Sequence, residues 1–168
     1  MDAWYLVTLI GQPEMWALST VILAVAYLLL RKKLEPEKRK VFKKILHIYI
    51  PGVITTLLIV LIVKNTIYIE RPCSPCGSLA ENCNPYCDTD SSFPSGHSAA
   101  IFSVVMSLYL GFRKKQLLPL YIVSVLVASS RYLLGVHTIA DVMAGAVIGI
   151  VVPFIFSLVY EKRFGPRH

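Results

Sequence analysis

From Ile45 to Val63 the chain carries no Asp, Glu, Lys or Arg. A helix over that run rises about 1.5 Å per residue, enough to cross the hydrocarbon core of a bilayer. Four further apolar runs predict four more spans, over residues 15–30, 98–112, 117–134 and 138–160, the first of them short enough to borrow from its flanks. With 55% hydrophobic and 16% charged residues in 168, the chain is too apolar for an ordinary soluble domain. The expected fold is all-α: one domain over residues 1–168, a polytopic membrane bundle of about five transmembrane helices. Residues 2–11 are too few to cross, and Trp4 and Tyr5 suit the headgroup level, which predicts a short N-terminal interfacial helix ended by Pro13. Asp2, in place of a basic cluster, predicts no cleaved signal peptide. Pro51-Gly52 predicts a kink in the second span. Gly145-x-x-x-Gly149, with Ala144 and Ala146, predicts close helix packing inside the bundle in preference to a dimer seam.

The net charge of +7 would fit nucleic acid if it were spread over one face, but its distribution along the chain fits a membrane instead. Residues 31–44 hold eight Lys and Arg and read as a loop, Arg113-Lys114-Lys115 form a basic turn, and Lys162, Arg163 and Arg167 follow the last span. Five spans put these three groups on one side, which the positive-inside rule names cytoplasmic, with the N-terminus outside and the C-terminus inside. Only Lys64, Arg71 and Arg131 remain, all at outer ends of spans. Snorkelling, or ion pairs with Glu70, Glu81, Asp88 or Asp90, would explain any one of them. Three together, on the side that also holds two histidines, point to an anion site.

Three segments carry the candidate chemistry. If the second helix continues past the membrane, Lys64 and Arg71 share one face about two turns apart, and Pro72 is placed to stop it. Arg offers a planar fork to phosphate oxygens, Lys a point charge. The turn Phe93-Pro94-Ser95-Gly96-His97-Ser98 opens an apolar helix whose first N–H groups favour an anion. There Gly96 permits close backbone approach, Ser95 adds a hydroxyl and His97 a titratable ring. The third is Ser130-Arg131-x5-His137-x3-Asp141. His137 and Asp141 on the first turn of the fifth span would by themselves read first as a structural pair at a helix start; near a membrane boundary they read as a functional one, in which the carboxylate accepts the N–H of one imidazole nitrogen and leaves the other free to attack. No Asp, Glu or His grouping reads as a magnesium or zinc cage.

Lys64-x6-Arg71-Pro72, Pro94-Ser95-Gly96-His97 and Ser130-Arg131-x5-His137-x3-Asp141 together resemble the three-part signature of the type 2 phosphatidic acid phosphatase family, shared with vanadium haloperoxidases and glucose-6-phosphatase. The resemblance covers about residues 60–150. It implies a phosphatase that needs no metal or other cofactor. In it His137 is the nucleophile, forming a phosphohistidine, Asp141 orients it and His97 is the general acid. Lys64, Arg71, Arg131, Ser95 and Gly96 hold the phosphoryl oxygens. Many relatives have six spans, three of them before the Lys-Arg-Pro segment; this chain has two plus a short helix, which leaves the outer wall of the substrate groove open. A site at the bilayer surface suits an amphiphile whose tail stays in lipid. A polyprenyl pyrophosphate (undecaprenyl or dolichyl type) comes first, and phosphatidylglycerol phosphate or phosphatidic acid second. A lipid transporter or scramblase would more often place its charges mid-span. The haloperoxidases of the family are soluble.

All four cysteines, Cys73, Cys76, Cys83 and Cys87, fall between the first two signature parts. Their spacing admits zinc, but a loop facing an oxidising compartment favours two disulfides, with three pairings open.

Overall fold

The computed structural model describes residues 3–73, 76 and 83–165; Asp2, Glu81 and Arg167 lie outside them. Among the described residues six α-helices follow in order: α1 Ala3–Leu9, α2 Pro13–Leu30, α3 Pro36–Thr66, α4 Gly96–Phe112, α5 Leu120–Leu133 and α6 Ile139–Phe164, with one 3-10 turn at Lys115–Leu117. Four stretches are long and apolar enough to cross a membrane, residues 3–30, 36–66, 115–133 and 139–164, and α4 is a shorter apolar helix among them. The protein is a multi-pass membrane helix bundle.

Local chemistry explains most boundaries. Pro13 does not end α1. It opens α2, where a missing N–H costs nothing, and the chain turns earlier, at Ile10–Gly11. Residues 31–44 are likewise not one loop: Pro36 starts α3, so its basic residues ride on the helix's first turns. The helix then runs unbroken through Pro51. It stops at Thr66, short of Pro72, and Ile67 is already extended. Ser95 caps α4. Thr138 and Asp141 form a reciprocal capping box at α6, in which each side chain serves the other's backbone N–H. Gly135 takes the left-handed conformation (φ 69°) that lets α5 turn into α6.

The short helix α4 is the axis of the bundle, packed on α3, α6, α5 and α2. Small residues make this possible: Ser98, Ala99, Ala100 and Ser103 leave room for backbones to approach. A Cβ at Gly145 would lie 2.4 Å from the Ser95 carbonyl oxygen, and one at Gly149 2.5 Å from that of Ala99. The glycine pair therefore packs within the bundle, against the start of α4. Outward faces are apolar and bare, as at Leu28 and Leu29 of α2, Ile62 of α3 and Val147 of α6, which suits contact with lipid chains.

The ionic groups separate to the two ends. Lys44, Arg113 and Glu161 meet at one end, where Lys44 lies 3.8 Å from Glu161 and Arg113 is paired with the same carboxylate. Lys64, Arg71, Arg131, His97, His137 and Asp141 gather at the other end.

Candidate active site

A cavity of about 670 Å³ opens at that second end, lined among others by Lys64, Arg71, His97, Arg131 and His137. These five side chains come from five stretches of chain. Lys64 comes from the last turns of α3, His97 from the first turn of α4 and Arg131 from the last turn of α5. Arg71 stands on the extended segment after α3, and His137 on the turn before α6.

The convergence of Lys64 and Arg71 therefore does not come from one helix face. The chain turns out of α3 after Thr66, and Ser91 fastens the extended return: its Oγ donates to Ile67 O (3.0 Å) and accepts from Ile69 N (3.1 Å). Arg71 is buried and its fork is fully used. Nη1 donates to Val136 O (3.1 Å) and to His137 Nε2 (3.2 Å), Nε donates to Asp90 O (3.2 Å), and Nη2 is paired with Asp90 and, at 3.3 Å, with Asp88. Arg131, 4% exposed, donates from Nη1 to Thr8 Oγ1 of α1 (3.1 Å), and its Nη2 stands 3.7 Å from Asp88. Its Nε is buried without a partner. Lys64 Nζ donates to Asp90 Oδ2 (2.8 Å) and to Ser91 O. The ion-pair reading of the stray cations and the anion-site reading thus both have a counterpart: the cations converge, and two aspartates cover them.

His137 precedes the Thr138 N-cap, so His137 and Asp141 are not stacked on a helical turn. The imidazole Nδ1 stands 3.7 Å from Asp141 Oδ2, with Ser92 bridging. Ser92 Oγ is 3.3 Å from Nδ1 and donates to Asp141 Oδ2 at 2.6 Å. With its own proton committed to the carboxylate, Ser92 accepts from Nδ1–H; the ring's one free lone pair is then on Nε2, where it accepts from Arg71 Nη1. Burial, with the Arg71, Arg131 and Lys64 charges added, holds the His137 imidazole well below its ordinary pKa of 6.5. Its neutral form is the resting form. Burial alone would raise the Asp90 carboxyl, but hydrogen bonds from Lys64 and Arg71 outweigh it and keep the group below its ordinary 3.8.

Ser95 is fully buried, and its hydroxyl is spent on α4, accepting from Ser98 Oγ (3.2 Å) and facing Ser98 N (3.5 Å). Its backbone N–H donates to Asp141 O (3.0 Å), tying the start of α4 to α6. Ser95, expected to bind phosphate, caps α4 and is not among the residues that line this cavity, whereas Gly96 is. Sequence reasoning missed Ser92 as a functional residue. Its position just before Phe93-Pro94 is the only signal, and a serine in a loop carries no mark of what it bonds.

The loop covering the cavity is held at several points. Cys73 pairs with Cys87 and Cys76 with Cys83, which leaves no thiolate for zinc among the described residues. Asn84 Nδ2 donates to Leu134 O (2.7 Å), and Tyr86 stacks on Tyr5 of α1 with centroids 4.7 Å apart.

Fold and site together define a multi-pass helical membrane protein with a cationic, two-histidine cavity at one end of its bundle. The chain belongs to the PAP2 superfamily, whose profile matches residues 45–164. It is similar to a lipid A 4'-phosphatase of Helicobacter pylori (strain J99 / ATCC 700824), with 30% identity over 83 residues, 49% of this chain and 40% of that protein. This chain thus aligns with less than half the length of that relative. No solved structure matches it.

Proposed function

We propose that the protein is a metal-independent lipid phosphatase working through a phosphohistidine. The observation that carries this reading is the placement of a neutral imidazole nitrogen, His137 Nε2, beside Arg71 in a cavity shared with Lys64, Arg131 and His97. Phosphoryl transfer needs positioning and charge stabilisation more than covalent assistance, and a cluster of cations supplies both. In the proposed reaction the incoming phosphoryl oxygens draw Arg71 Nη1 off Nε2, and the freed lone pair attacks phosphorus in line with the leaving oxygen. An N–P bond forms, the P–O bond to the leaving group breaks (the lipid phosphate of a pyrophosphate, the lipid oxygen of a monoester), and His97, protonated once the substrate's negative charge lies beside it, delivers the proton that the departing oxygen takes up. Water then attacks the phosphohistidine, returns a proton to His97 and releases inorganic phosphate. Asp141, acting through Ser92, holds the ring orientation and stabilises the charge that His137 acquires. Lys64, Arg71 and Arg131 take the phosphoryl oxygens together with the N–H groups at the start of α4, whose Gly96 lets the phosphate come close.

The substrate we favour is a polyprenyl pyrophosphate. The cavity opens at the end of an apolar bundle, which suits a lipid whose phosphate reaches the mouth while its chain stays in the bilayer. A second reading, a phosphatase of a phosphorylated glycolipid, phosphatidylglycerol phosphate or phosphatidic acid, is favoured by the relative described as a lipid A 4'-phosphatase. The basic groups near Lys44 and Arg113 support a cytoplasmic location for that end, and hence an extracytoplasmic active site.

Phosphate release from a panel of these lipids, with wild type beside His137→Ala and His97→Ala, tests the reading. The first variant should fall to background and the second should lose about 10²–10⁴-fold. Vanadate should inhibit and a chelator should not. Equal release by wild type and His137→Ala refutes the mechanism.

A further inference from the structure

We propose that Asp88 and Asp90 are a built-in counter-anion that an incoming phosphate must displace, and that they thereby set which anions the site accepts. The inference rests on reading this cavity as the phosphate site. All three cations of that site are already paired, and always with these two residues. Lys64 and Arg71 share Asp90; Arg71 and Arg131 share Asp88. The two carboxylates thus stand among the groups assigned to the phosphoryl oxygens.

The two halves of these pairs differ in freedom. The Lys64, Arg71 and Arg131 side chains are only 5–13% exposed, while those of Asp90 and Asp88 are 52% and 61% exposed. The cations are also held by further partners: Arg71 by Val136 O, Arg131 by Thr8 and Lys64 by Ser91 O. The loop bearing the acids is fastened on either side, by the Cys73–Cys87 bridge before Asp88 and by Ser91 and Ser92 after Asp90. What can move without unfolding anything is the pair of aspartate side chains, outward into water. A phosphate dianion entering beside both carboxylates would put more negative charge in the cavity than its three cations balance, so entry requires that outward swing.

The consequence is a threshold. An anion must outcompete two carboxylates for the same cations, so a doubly charged monoester is held back more than a pyrophosphate, which offers more charge and more oxygens. Weakly charged anions, such as the phosphodiester of an ordinary phospholipid, are excluded. The acids act here on selectivity, a role apart from that of the groups that react.

The test compares Asp88→Asn, Asp90→Asn and Asp90→Glu with wild type, using a lipid monophosphate and the corresponding pyrophosphate in mixed micelles. Each Asn variant should lower KM for the monophosphate about fivefold, the worth of one partly exposed ion pair, and lower it less for the pyrophosphate. The ratio of the two KM values should therefore shrink, and Asp90→Glu should return it toward wild type. Binding of orthovanadate, followed by the shift in melting temperature, should tighten in parallel. This second measurement does not depend on turnover, so if no lipid is hydrolysed even by wild type the functional reading fails while the displacement is still decided. An unchanged or higher KM, or weaker vanadate binding, in both Asn variants overturns the proposal, because the aspartates would then be anchors that aim the cations.

Discussion

Replacing Gly145 by alanine should damage catalysis more than its distance from the chemistry implies. The added Cβ would lie 2.4 Å from Ser95 O and 3.1 Å from Ser98 Cβ. Ordinary contact begins near 3.4 Å, so α6 and the start of α4 must part by about 1 Å. Neither obstacle is the far end of a flexible side chain. One is the carbonyl that receives the Ala99 N–H in the first turn of α4, and the Ser95 N–H beside it donates to Asp141 O. The displacement thus falls on the joint that fixes His97, on α4, relative to His137 and Asp141, at the head of α6. Overpacking of this kind costs about 1–3 kcal/mol, and a misplacement of about 1 Å in a catalytic constellation costs on the order of a hundredfold in rate. We therefore expect Gly145→Ala to lower kcat/KM for a lipid phosphate by about two orders of magnitude, with a fall in melting temperature of several degrees. Gly149→Ala meets comparable crowding one turn further from the cavity, at Ala99 O (2.5 Å), and should lower stability as much but kcat/KM less. Kinetics in detergent, read beside thermal unfolding of the same samples, separates the two effects. Wild-type kcat/KM in Gly145→Ala, or equal kinetic losses in both variants, would refute the claim that this helix contact sets the geometry of the two histidines.

Ser92→Ala removes the bridge between His137 Nδ1 and Asp141, and should lower kcat roughly ten- to a hundredfold with a smaller change in KM, moving the acid limb of the pH profile; Ser92→Thr should restore part of both. Because the fold holds His137 below its ordinary pKa of 6.5, the unfolded chain binds a proton there that the folded chain does not, so stability falls as pH drops below 6.5. Melting temperatures over that range should fall more steeply for wild type than for His137→Gln, and parallel slopes would contradict the assignment. Replacing Cys73 and Cys87 with serine opens a loop closed across a separation of 14 residues and should cost about 3 kcal/mol of stability, read by chemical unfolding, while loosening Arg71 beside it. Asp90→Asn should melt below wild type without ligand, since it leaves Lys64 and Arg71 short of a counterion, and regain the difference in saturating vanadate.

The spans were legible because a bilayer demands long uncharged runs, and no other solvent for a chain does. The helix ends were less so. Proline marks both starts and stops: Pro13 reads equally well as the end of α1 or the head of α2, and only the turn at Ile10–Gly11 decides. At the site, residue types and order announced Lys64, Arg71, His97, Arg131, His137 and Asp141, because each is costly at a membrane boundary and so needs a reason to be there. What could not be read was how they meet. The helical spacing of Lys64 and Arg71 presumed a continuation that Ile67 breaks, and the spacing of His137 and Asp141 presumed a helical turn that begins only at Ile139, after the Thr138 cap. Ser92 and Ser95 show the limit plainly. Two hydroxyls three residues apart differ in role because one meets Asp141 across the fold and the other meets its own helix, and that difference lies in tertiary contacts alone.

The three cations explain why the covering loop exists. Gathering two guanidinium groups and an ammonium in one cavity, each nearly out of water, is unfavourable unless negative charge comes with them. Fixed, buried carboxylates would stabilise the empty site and also block it. Half-exposed ones at Asp88 and Asp90 offset most of the charge of the empty cavity and, in the displacement proposed above, leave when a stronger anion arrives. This requires a loop whose backbone is held while its acidic side chains are free. Disulfides supply that combination in a segment with little apolar surface of its own, since they constrain a chain without needing a core. The cysteines, the aspartates and the cations are therefore one device: the staple holds the loop over the cations, and the acids govern which anions replace them.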